Sequence, residues 1–208
     1  MIDKLTSWIY AEDYANEPQA IRSARRSAVE LGVESVTEAT GNQLAVIAGL
    51  TRAKAIVEVG TGAGVSGLWL LSASNDSVLT TIDSEPEYQL AARENFKRAD
   101  IAPSRIRVIS GRASSVMANM AEAAYDLVFL DSDPNDLDEV LPLAIALAKP
   151  GGAIVLAHAL WRDRVPNPTL REDETSAIRS AVQNFSDNED FLASISLVGD
   201  GLLIVVKR

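Results

Sequence analysis

The chain predicts an α/β fold: a doubly wound seven-stranded sheet, mostly parallel, with a C-terminal antiparallel hairpin and extra N-terminal helices. Three observations predict it. Residues 54–66, KAIVEVGTGAGVS, carry a short β-branched run that stops at glycines and reopens as a helical pattern, which marks a buried strand, a tight turn and a helix start. Downstream, apolar runs of strand length alternate with amphipathic helical segments, and that alternation implies a parallel sheet covered on both faces. The chain closes with two β-rich runs, FLASISLV and LLIVVKR, joined by the glycine turn GDG. Such a pair is a hairpin, hence antiparallel.

The elements follow in order. The region up to about Thr51 reads as helical, with Pro18 opening one helix through QAIRSARRSAVELG and Gly32 stopping it. VTEATGNQLAVIAGL is a further helix. After the first strand and VSGLWLLSAS comes DSVLTTID, a second strand ending at Asp83, then an amphipathic helix opened by Pro86. RIRVIS is a third strand, ASSVMANMAEA a helix, and YDLVFLD a fourth strand. NDLDEVLPLAIALAKPGG reads as a helix closed by Pro150 and two glycines, and AIVLAH as the fifth strand. A long loop with two prolines, HALWRDRVPNPTLRED, leads to a helix over roughly Glu172–Asn184; loops of that length often carry function. One domain over residues 1–208 is expected, with N-terminal helices over 1–51 and a Rossmann-like core over 52–208.

Composition bounds the function. At 208 residues a single domain buries roughly 70% of its unfolded surface. Hydrophobic residues make up 47% and charged ones 23%, as in an ordinary globular protein. No apolar run approaches the roughly 18 residues of a membrane span, and the acidic N-terminus lacks an export-signal pattern. The absence of cysteine excludes disulfides and thiolate chemistry and suits a cytoplasmic protein. A net charge of −10 with no basic patch excludes nucleic acid as an expected partner, since duplex binding needs cations that displace counterions.

Chemistry is expected where the strands end, because open parallel sheets bind ligands outside the carboxyl ends of their strands. Glycines at the first turn bring backbone close to a ligand, and the following helix start favours a polar or anionic group. A dinucleotide fingerprint needs G-x-G-x-x-G. Here Val65 holds the third glycine's place and the run is instead E-x-G-x-G-x-G over Glu58, Gly60, Gly62 and Gly64. Asp83 at the end of the second strand suits the hydroxyls of a ribose, a role shared by NAD and S-adenosylmethionine (SAM) sites; a helix N-cap is its plainer reading. Asp131 ends a strand otherwise almost wholly apolar, and Asp133 follows it.

Together these motifs resemble the cation-dependent small-molecule O-methyltransferases, the group that includes the catechol and caffeoyl-coenzyme A O-methyltransferases, from about Val36 to the C-terminus. The resemblance implies a class I methyltransferase fold, SAM as cofactor, a small-molecule acceptor and a homodimer. It places Val36 at the methionine end, Gly60, Thr61 and Gly62 under the cofactor, Glu58 anchoring it and Ser66 at the carboxylate. Asp83 with Ser84 would take the ribose, Ala113 the adenine edge, and Asp133 would lie near the amino group of SAM. The sequence also departs from the family. A fourth-strand motif D-A-D-K reads Asp131-Ser132-Asp133-Pro134, so the lysine credited with deprotonating the acceptor is missing. The metal-binding D-N after the fifth strand reads His158-Ala159, which leaves Asp131 as the one retained family ligand and makes a divalent metal doubtful. Asp131 and His158, the single histidine, are the expected catalytic residues, with His158 replacing lysine and metal as a base. A SAM-binding protein without catalysis and an NAD-dependent oxidoreductase are the alternatives. Trp8, Ile9, Tyr10 and Tyr14 suit a dimer interface or packing on the chain's own sheet.

Overall fold

The structure is a computed structural model that describes residues 4–186 and 188–208. The first three residues of the segment read for an export signal therefore lie outside the described residues. Three helices precede the sheet: α1 (Lys4–Glu12), α2 (Gln19–Glu30) and α3 (Glu38–Leu50). Gly32, at φ +68°, ends α2 as expected, and the Val33 N–H returns to the Ala28 carbonyl at 2.9 Å. Thr37 caps α3 by accepting the Thr40 N–H.

The core alternates β1 (Ala55–Val59), α4 (Val65–Ser72), β2 (Val78–Asp83), α5 (Pro86–Arg98), β3 (Ile106–Ser110), α6 (Ala113–Met117), β4 (Tyr125–Leu130), α7 (Leu137–Leu147) and β5 (Ala148–Leu156). After the long loop come α8 (Asp173–Ser186), β6 (Phe191–Ser196) and β7 (Leu202–Lys207). The seven-stranded sheet has the order β3-β2-β1-β4-β5-β7-β6, with β5, β7 and β6 paired antiparallel. Its switch point lies between β1 and β4, where crossovers leave in opposite directions.

Alternating side chains feed two cores. Ile56, Leu79, Val108, Leu127 and Val155 face α2, α3, α4 and α5, whereas Val57, Ile82, Val128, Ile154 and Leu203 face α6, α7 and α8. β4 is buried along its inner length on both faces, which explains its apolar run.

Three elements differ from expectation. α7 ends at Leu147 instead of running through KPGG, and β5 begins there. Pro150 disfavours a helical Lys149, Lys149 pairs with Asp126 at 2.6 Å, and Lys207 Nζ takes the carbonyls of Ile145 and Ala148. α6 is a five-residue helix, shorter than ASSVMANMAEA suggests.

Candidate active site

The turn after β1 is built around backbone approach. Gly60 has φ +92°, and a Cβ there would overlap the Asp131 carbonyl oxygen on the neighbouring strand. Gly62, at φ +48°, donates its N–H to Asp83 Oδ2 at 3.0 Å, so the first turn and the end of β2 lock together. The other Asp83 oxygen accepts the Glu85 N–H at 2.9 Å. Two buried amides on α5 hold the frame: Asn95 donates to the Ala63 carbonyl at 2.9 Å, and Gln89 to the Asp83 and Ile109 carbonyls, both at 2.8 Å. Gly64 precedes α4 without a side-chain cap, leaving first-turn N–H groups for a ligand.

Two cavities meet over this turn. One of about 170 Å³ is lined by Val36, Gly60, Thr61, Gly62, Ser66 and Asp83, with Tyr88 and Asp131 at its edge. The other, about 230 Å³, is lined by Asp83, Ser84, Ala113 and Asp133 among others. Gly60, Asp83 and Asp131 belong to both. Nine of the ten expected cofactor residues thus line one crevice, and Asp133, expected near the amino group of SAM, opens instead on the Ala113 side of it.

Glu58 is the tenth and lies behind the turn, fully buried. Burial raises its pKa from 4.5 to about 7; the Ser66 and Thr81 hydroxyls oppose that rise, and the charges of Asp131 and Asp83 add to it. Neither carboxylate oxygen gains a hydrogen bond of good geometry, and the Thr81 hydroxyl is already engaged with Thr61 at 2.7 Å. Glu58 therefore lies behind the turn and lines neither cavity, against the expectation that it anchors the cofactor.

His158 follows β5 in the left-handed region, at φ +55°. Its Nε2 lies 3.4 Å from Asp131 Oδ1 and its Nδ1 3.0 Å from Asp200 Oδ2. The ring meets Trp161 edge-on, with centroids 6.1 Å apart. Its pKa rises from 6.5 to about 9, chiefly through the Asp131 hydrogen bond; burial opposes the rise, and the Asp131 charge and then Asp200 add to it. The expectation from sequence was a base, which requires a neutral ring. Between two carboxylates the ring is instead held as a cation at neutral pH.

The sequence pattern of the family described as "O-methyltransferase" matches residues 11–208. The chain belongs to that family. A Mycobacterium sp. (strain JLS) protein, provisionally named an O-methyltransferase, is 46% identical over 199 residues, covering 95% of this chain and 90% of the relative. A Corynebacterium glutamicum crystal structure shares 32% identity with a TM-score of 0.88, covering 96% and 94% of the two chains. The fold also matches an O-methyltransferase of tomaymycin synthesis from Streptomyces achromogenes, solved with SAM, at 23% identity, TM-score 0.86 and full coverage of both chains. Family membership removes the oxidoreductase alternative.

The family's divalent ion fits these residues poorly. Asp131 is one oxygen donor, Ala159 offers none and is fully buried, and both nitrogens of His158 are engaged by carboxylates on opposite sides of its ring. A hard cation needs converging oxygens, and among the described residues no group of three or more acids and histidines converges on a metal position. Sequence reasoning missed Asp200, which the motif GDG presents only as a turn, and the buried amides Gln89 and Asn95. An amide on an amphipathic helix carries no signal of which carbonyl it will meet.

Proposed function

We propose that this O-methyltransferase passes the methyl group of SAM to a hydroxyl of a small-molecule acceptor, with Asp131 and His158 at the acceptor. SAM, when bound, supplies a methyl carbon made electrophilic by its sulfonium. Asp83 and Ser84 take the ribose, Ala113 and Asp133 flank the adenosine side, and Val36, the glycine turn and Ser66 take the methionine end. Attack on the methyl needs a hydroxyl that is losing its proton. The Asp131 carboxylate receives that proton, and the charged ring of His158 stabilises the oxygen as negative charge builds on it. In this scheme the imidazolium does the electrostatic work of the family's cation and of its lysine, and no step passes through a metal.

One observation carries the reading: Asp131 lies where the two cavities join, and its side chain meets the single histidine. The test is methylation of catechol by wild type and His158→Ala, each with and without a chelator. Wild-type activity resistant to the chelator and lost in His158→Ala is expected. Full chelator-resistant activity in His158→Ala overturns it.

A cytoplasmic homodimer completes the proposal. The chain has no cysteine, as suits a reducing compartment, and none of the described helices is long and apolar enough to cross a membrane. α1 carries Ile9 and Tyr10 exposed, and Tyr14 just beyond it is exposed as well.

A further inference from the structure

The connection from β6 to β7 reads Leu197-Val198-Gly199-Asp200-Gly201, and it is pinned from two sides. From α1, Glu12 Oε1 accepts the Gly199 N–H at 2.6 Å, and Trp8 Nε1 donates to the Leu197 carbonyl at 3.1 Å. From the segment after β5, the Ala159 N–H donates to the Gly201 carbonyl and the Leu160 N–H to the Asp200 carbonyl, both at 3.0 Å. A Cβ on Gly201 would run into the Leu160 side chain.

Both oxygens of the Asp200 side chain are used on this segment. Oδ1 accepts the Arg162 N–H at 2.6 Å, and Oδ2 faces His158 Nδ1 at 3.0 Å. The backbone it grips is strained: His158, Trp161 and Arg162 all have positive φ. Such conformations persist only where the surroundings over-determine them. With an acceptor on Nδ1, the ring has one orientation left, and that orientation aims Nε2 at Asp131.

We propose that Asp200 is a positioning residue for methyl transfer: through Nδ1 and the Arg162 N–H it fixes the His158 ring so that Nε2 faces Asp131. This rests on the assignment of His158 to the acceptor site. Asp200 touches neither substrate nor cofactor in this scheme; it lines neither cavity. Its effect therefore falls on turnover and on the ring, not on cofactor affinity.

Because His158 is the only histidine, ring nitrogen–proton correlation spectra of the intact chain read it alone. Asp200→Ala and Asp200→Asn are compared with wild type by that spectrum, by calorimetry with S-adenosylhomocysteine, and by kcat and KM with catechol as acceptor. Wild type should show a protected Nδ1 proton. Asp200→Ala should lose that protection and about tenfold to a hundredfold in kcat, with the S-adenosylhomocysteine Kd within threefold of wild type. Asp200→Asn, which keeps one acceptor oxygen, should fall between them. An unchanged Nδ1 signal in Asp200→Ala, or unchanged kcat, overturns the proposal. His158→Ala separates the two ideas. If it is inactive while Asp200→Ala is normal, only the role of Asp200 falls; if it is fully active, the role of His158 falls with it. Should catechol not be turned over, the ring spectrum of Asp200→Ala decides alone.

Discussion

Three titratable groups at the strand ends, Asp83, Glu58 and His158, have three different environments, and these decide what each can do. Asp83 is held by two backbone N–H groups and still opens on both cavities. Hydrogen bonds to a charged group contribute about 1.5–3 kcal/mol, so Asp83→Ala should weaken SAM binding at least tenfold by calorimetry. An unchanged Kd would remove Asp83 from the site. Glu58 has no such exposure, and the fold prefers it protonated. Its contribution to stability is full below pH 4.5 and is lost as pH rises through about 7, a displacement worth roughly 3 kcal/mol. The His158 ring, favoured as a cation, contributes fully below pH 6.5 and loses that contribution as pH rises through about 9. Stability from these two groups should therefore decline from pH 4.5 to 9 in two overlapping windows. Urea midpoints measured across that range should show the lower window flattened in Glu58→Gln and the upper one in His158→Gln. A wild-type profile unchanged by Glu58→Gln would mean that the carboxylate is charged and satisfied inside the protein.

At the scale of elements, what was legible in the sequence is what local periodicity controls. The β1 turn, the alternation of strands and helices, the acids at strand ends and the closing hairpin all follow from short-range pattern, and each lies where it was expected. The α7–β5 boundary did not, because it is set by Lys149, Asp126 and Lys207, which meet only once the sheet has formed. Asp200 was illegible for the same reason: its partners His158 and Arg162 are 42 and 38 residues away along the chain. Glu58 was legible as an acid but not as one facing inward, since a strand buried on both faces gives no alternation to read. The close approach of β1 to β4 gives an element-scale prediction. Gly60→Ala must push the Asp131 backbone away while adopting a φ that side chains rarely accept. Loss of both SAM binding and catechol methylation is expected, with a thermal midpoint lowered by several degrees. Normal binding in Gly60→Ala would show that the turn has slack to yield.

At the scale of the whole molecule, α1 presents large apolar side chains to solvent. No residue of this nine-residue helix is buried; Tyr10 on it and Tyr14 just after it are 71% and 74% exposed. Polar bonds tie it to the rest of the chain: Trp8 to the Leu197 carbonyl, Glu12 to the Gly199 N–H and to the Thr37 hydroxyl. A helix this short is marginal in water and takes its stability from apolar cover. Val46 and Leu50 on α3, which touches α1, are exposed as well. A second copy related by a two-fold axis would cover such a surface in both chains at once, because a self-complementary patch serves both partners. Light scattering at micromolar concentration should therefore give twice the chain mass of 22.3 kDa. The double substitution Ile9→Glu and Tyr10→Lys places charges on the face where aromatic and aliphatic residues are exposed, away from both cavities. It should give a monomer whose far-ultraviolet circular dichroism loses no more than the signal of α1. A wild-type chain that runs at 22.3 kDa would rule out the dimer.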